Sequence, residues 1–112
     1  MSFQIKELLR PEGSSPFAEW FGSLGAVAAA KVRVAVSRME QGNLANVEWF
    51  RGIGECKIDW GPGLRVYLAK DDLKIILLIG GGTKKHQQRD IDQAIALWQD
   101  YKHRKAATQK GK

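Results

Sequence analysis

With 112 residues, 44% of them hydrophobic and 27% charged, the chain has room for one modest core and not for two domains. No apolar run approaches the roughly 18 residues that a membrane-spanning helix needs, and "MSFQIKELLR" at the N-terminus lacks the continuous apolar stretch of a signal peptide. A lone cysteine, Cys56, allows no internal disulfide, so the expectation is one cytoplasmic domain over residues 1–105 followed by a disordered basic tail, 106–112.

The net charge of +6 is unevenly spread. Residues 1–56 carry six Lys/Arg against six Glu, whereas residues 57–112 carry twelve Lys/Arg against six Asp, which accounts for the whole excess. A field of that sign suits an acidic partner, either nucleic-acid phosphate or an acidic protein segment, or else it is a solvated surface.

In chain order, "FQIKELL" from Phe3 to Leu9 reads as a strand closed by the turn-forming Arg10-Pro11-Glu12-Gly13-Ser14. Ser15-Pro16 has the form of a helix N-cap followed by proline at the first helical position, which predicts a short helix from Pro16 to about Ser23. After Gly25, "AVAAAKVRVAVSRMEQ" offers both a strand-like alternation (Val32, Val34, Val36) and helical spacings (Ala29, Val32, Val36, Met39). Its length, its alanines and the stop at Gly42-Asn43 favour helix. A loop with Trp49, Phe50 and Gly52 to Gly54 follows. "ECKIDW" and "LRVYLAK" then alternate as two half-buried arms of a hairpin around Gly61-Pro62-Gly63. Asp71-Asp72 makes the next turn, "LKIILLI" to Ile79 is the most apolar strand and is expected at the centre of the sheet, and a last helix runs from about Gln87 to Lys105. The order strand, helix, helix, three antiparallel strands, helix is an α+β fold, with helices packed on a small twisted sheet.

Between the last strand and the last helix lies "IGGGTKKHQ", a glycine turn that spills cations. It lacks the spacing and terminal Ser/Thr of a phosphate-binding P-loop. His86 and His103 lie far apart, with no Cys or acidic neighbour at metal-ligand spacing, so neither a metal nor another cofactor is expected. What remains is a convergence of cations. Lys57 on one hairpin arm, and Arg65 and Tyr67 on the other, share a face directed away from a core of Ile58, Leu64, Val66 and Leu68, and the adjoining strand delivers Lys84, Lys85 and His86. Arginine offers a planar fork for phosphate oxygens, lysine a point charge, and the amides of Gly81 and Gly82 a close approach to an anion. Alternatively, Arg65 pairs with Asp59 across the hairpin and the lysines are simply solvated.

The stretch "WGPGLRVYLAKDDLKIILLIGGGTKKHQQRDIDQAI" resembles the RelE/ParE superfamily of type II toxin–antitoxin toxins, and within it the HigB-like addiction-module killer subgroup. The resemblance rests on Glu55-Cys56-Lys57, Gly61 to Tyr67, Gly81-Gly82-Thr83-Lys84 and Gln87 to Ala94, with "FAEWFGSL" similar to the family's first helix. Leu64 stands where relatives have an aromatic residue and Thr83 where many have Asp. The resemblance implies a RelE-like fold and a ribosome-dependent mRNA endoribonuclease, neutralised by a cognate antitoxin of helix-turn-helix type. It gives Arg65 transition-state charge stabilisation, Lys84 phosphate contact or proton transfer and Lys57 a supporting positive charge. Lys85, His86, Tyr67, Gly81 and Gly82 are candidates for RNA contact, Tyr67 by base stacking. Two rivals stand beside it: DNA gyrase inhibition, known among ParE-like members, and a non-enzymatic basic domain that binds an acidic protein.

Overall fold

Alternating polarity normally leaves one face of a strand wet, yet six consecutive residues, Leu64 to Ala69, are buried. The computed structural model, which describes residues 2–110, accounts for this by covering the sheet on both sides. Its elements are β1 (Gln4–Glu7), α1 (Pro16–Gly22), α2 (Ala26–Glu40), β2 (Val47–Phe50), β3 (Ile53–Ile58), β4 (Leu64–Asp72), β5 (Ile75–Thr83), a single 3₁₀ turn (Lys84–His86) and α3 (Gln87–Lys110). The five strands lie in the order β1-β5-β4-β3-β2, with β1 parallel to β5 and the other neighbours antiparallel, which makes a mixed α+β sheet. On one face α1 and α2 pack Phe17 and Val32 onto Val66, Leu68 and Ile76. On the other, α3 packs Ile91, Ala94 and Trp98 onto Tyr67, Leu77 and Ile79.

The helices begin where their caps dictate. Ser15 accepts from the Ala18 amide at 3.0 Å and Pro16 opens α1. In α2 the valines divide as a helix requires, with Val32 buried and Val34 exposed.

Five expectations change. The loop around Trp49 is strand β2, joined to β3 by Arg51-Gly52 with φ of 52° and 87°, the left-handed pair of a two-residue hairpin turn. A non-glycine residue at the first of those positions conceals the turn in the sequence. The β4–β5 turn falls at Leu73-Lys74, where the Asp72 carboxylate accepts from the Lys74 amide at 2.7 Å, and not at Asp71-Asp72. The middle strand is β4, since β5 is flanked by β1 only along Ile75–Leu78. The three glycines are not a turn but the last part of β5, with Gly80, Gly81 and Gly82 paired to Tyr67, Val66 and Arg65. Residues expected in a disordered tail continue α3 as far as Lys110, while Gly111 and Lys112 lie outside the described residues. Arg104 donates to the Leu9 carbonyl (2.9 Å) and Lys105 to Asp71 (2.9 Å), fixing the helix just before that extension.

Gly81 carries the Trp20 ring directly on its Cα, for a Cβ placed there would stand 2.3–2.5 Å from ring atoms. Gly81→Ala is therefore expected to push α1 off the sheet and cost about 1–3 kcal/mol, read as a lowered thermal midpoint. An unchanged midpoint would contradict this packing.

Candidate functional site

Two rows of paired residues cross the α3 face of the sheet. The first is Lys57–Arg65–Gly82 and the second is Glu55–Tyr67–Gly80. Because residues directly opposite in an antiparallel sheet share a face, Arg65 and Tyr67 point under α3 and not into solvent. The Arg65 side chain is only 9% exposed.

A carboxylate organises this buried polar layer. Glu55, 2% exposed, accepts from Tyr67 Oη at 3.1 Å and from Gln87 Nε2 at 2.8 Å, both on Oε2. The same oxygen lies 3.6 Å from Arg65 Nε, and Oε1 lies 3.9 Å from Lys57 Nζ. Arg65 is thus paired with Glu55, not with Asp59. Its Nη1 donates to the Gly63 carbonyl at 2.8 Å, while Nε has no hydrogen-bond partner among the described residues. The guanidinium is held in place with part of its donor capacity unused. Burial, and then the Glu55 carboxylate beside it, pushes the Tyr67 phenol well above its ordinary value, so the ring remains a neutral donor.

The remaining cations form a rim. Lys57 is half exposed and also lies 3.7 Å from Glu48. Lys84 donates its amide to the Gly63 carbonyl at 3.0 Å, which docks the 3₁₀ turn against the β3–β4 turn. Lys84, Lys85 and His86 are exposed, and none of them forms an ion pair among the described residues. The structure therefore brings Lys57, Arg65 and Lys84 to one end of the sheet, as their spacing predicts. It leaves Lys85 and His86 at the rim and encloses Tyr67. Gly82 is buried, with the Asp90 carboxylate over it where a Cβ would be, and Trp20 covers Gly81 on the side toward which a Cβ would point. Among the described residues no three His, Cys, Asp or Glu side chains gather as metal ligands would.

Sequence reasoning gave no site role to Glu55, Gln87 or Asp90. Glu55 had a readable clue, because it shares the parity of Lys57 in β3 and so points to the same face. The nearness of Gln87 and Asp90 depends on how α3 leaves the 3₁₀ turn, which no spacing rule supplies.

No family model matches the chain, and no solved structure does. A Haemophilus influenzae protein described as "Uncharacterized protein" is 35% identical over 102 residues, which cover 89% of this chain and 97% of that protein. The chain belongs to the same family. The likeness extends over nearly the whole of both chains and is not confined to a shared motif.

The Glu55 network yields two expectations. Glu55→Ala leaves Arg65 buried without its counter-charge and should cost about 3–5 kcal/mol, more than Glu55→Gln, as chemical denaturation would read. Tyr67 has a raised folded pKa, so its contribution to stability is complete below pH about 10 and is lost as pH rises towards the folded value. Tyr67→Phe should flatten the fall in thermal midpoint above pH 10. The smaller remaining slope would come from Tyr101, whose phenol burial and Asp71 also raise, and from Lys105, which its hydrogen bond to Asp71 holds above its ordinary value.

Proposed function

We propose that this chain is the toxin of a type II toxin–antitoxin module, with a RelE-like fold of the HigB-like subgroup, and that it acts in the cytoplasm by cutting mRNA on the ribosome. The observation that carries the reading is the row Lys57–Arg65–Gly82, with Lys84 leaving its end. Its three cations occupy the positions to which the resemblance assigns phosphate chemistry. In this reaction the ribose 2′-hydroxyl attacks the neighbouring phosphorus. The P–O2′ bond forms, the P–O5′ bond breaks, and a 2′,3′-cyclic phosphate and a 5′-hydroxyl are left. A base takes the 2′ proton, an acid supplies one to O5′, and the extra negative charge on the phosphorane is met by cations. Arg65 meets that charge from a fixed position. Lys84 contacts the phosphate or moves a proton, and Lys57 adds positive charge at the rim. A small antitoxin, of helix-turn-helix type by the resemblance, neutralises the toxin by covering this basic end.

The gyrase-inhibitor reading draws on one specific observation, the neutralisation of Arg65 by Glu55, which leaves only the exposed lysines as a docking surface. Mapping transcript 5′ ends after induction separates the two. The proposal expects new ends within coding sequence. Intact transcripts with gyrase-dependent DNA breaks would replace it with the rival, and absence of growth arrest would favour a binding domain. Lys57 and Lys84 are exposed, so the Lys57→Ala/Lys84→Ala double variant should keep its thermal midpoint and lose growth arrest. Arg65→Lys should lower cleavage roughly 10²-fold, because lysine keeps the charge and loses the fork.

A further inference from the structure

Strand β1 stops opposite Leu78, and β5 runs on for five residues, Ile79–Thr83, with no strand on that side. Helix α1 closes one flank there through Trp20 and α3 the other through Asp90 and Gln93, leaving a cleft of about 330 Å³. Gly80 forms its floor. Paired with Tyr67, Gly80 faces α3, and a Cβ at this position would meet no atom within 4 Å. The three consecutive glycines thus have separate roles: Gly81 admits Trp20, Gly82 admits Asp90, and Gly80 leaves space empty.

We infer that this cleft holds one unstacked nucleobase bearing an exocyclic amino group, that of a nucleotide beside the phosphate bound at Lys57, Arg65 and Lys84. The inference rests on the ribonuclease reading for the identity of the nucleic acid. The volume is at the small end for ligand sites and suits one base, not a larger ligand. Trp20, backed by Phe17 at 6.0 Å between ring centroids, is an aromatic wall of the kind on which splayed bases stack. Asp90 supplies the selectivity. Its side chain is 10% exposed, and it makes no hydrogen bond among the described residues. Among the described residues its one close cation is Arg89 Nε at 3.5 Å. A carboxylate so placed repels phosphate and can only accept, so it seeks N–H groups. Adenine, cytosine and guanine present amino groups on their pairing edges, guanine with a ring N–H beside it. Uracil flanks its single N–H with two carbonyl oxygens, which the carboxylate opposes. Across the cleft Glu19 is engaged by Arg10 at 3.0 Å, so among the described residues Asp90 is the lining carboxylate left for a ligand. Asp90 also covers Gly82, the partner of Arg65, so the base and phosphate sites adjoin.

The test titrates the purified full chain with the 5′-monophosphates of adenosine, guanosine, cytidine and uridine and with ribose 5-phosphate, read by tryptophan emission and amide chemical shifts. The amino-bearing nucleotides should bind about tenfold or more tightly than uridine monophosphate, and ribose 5-phosphate more weakly still. Asp90→Asn should erase the preference. Gly80→Val, whose Cβ enters the cleft where no atom lies within 4 Å, should sharply weaken nucleotide binding and keep the thermal midpoint. Gln93→Ala, at an exposed helix position, should weaken binding in a protein that folds normally. Equal affinity for all five ligands, or unaltered binding by Gly80→Val, overturns the inference. If transcripts are cut by a protein that shows no such preference, the cleft assignment fails and the ribonuclease reading stands. If the preference is found in a protein that leaves transcripts intact, the ribonuclease reading fails and the cleft assignment stands.

Discussion

A carboxylate taken almost wholly out of water has to be met by donors and positive charge, and Glu55 draws them from two other elements at once. Tyr67 and Arg65 come from β4, across the β3–β4 register, and Gln87 comes from the first residue of α3. A one-residue slip between β3 and β4 would turn Tyr67 and Arg65 to the opposite face and strand the carboxylate, so this polar layer fixes the register of the hairpin. It also fixes where α3 starts. The position of Arg65, the docking of the 3₁₀ turn and the cationic rim all follow from satisfying that one buried group.

The glycine stretch of β5 shows how a backbone without side chains becomes specific through what rests upon it. Strand interiors disfavour glycine because nothing packs there. Here an indole and a carboxylate come down from two helices onto successive glycines, one on each face of the sheet, and the Cα atoms serve as seats. Gly54 does the same at the other edge, where a Cβ would meet Val47 and Trp49 at 2.7 and 2.9 Å, so β2 lies close against β3.

Much of the fold was legible because its elements carry strong local marks. Ser15-Pro16 capped α1, the length and alanines of α2 outweighed its Val32-Val34-Val36 alternation, and Gly61-Pro62-Gly63 marked the hairpin. The cationic end was legible too, because strand parity puts Lys57 and Arg65 on one face whatever packs above them. What escaped was set by tertiary context. Arg65 and Tyr67 look like solvent-facing residues until α3 is laid over them, and Arg51 hides a turn by adopting a conformation usually left to glycine or asparagine. "GGG" reads as a turn when its neighbours are unknown. Asp90 reads as a helix-start residue, and only the closeness of Gly82 reveals that it faces the sheet.

Helix α3 is fastened at its start and again at Arg104 and Lys105, before its last turn. Gln87 is bound to Glu55 at one end, and 17 residues on, about 25 Å away along the helix axis, Arg104 grips the carbonyl of Leu9 while Lys105 and Tyr101 share Asp71. A rod pinned twice cannot swing as a lid. Fuller exposure of the Arg65 guanidinium therefore has to come from fraying of the first turn of α3, local melting confined to a few residues while the remainder of the helix stays docked.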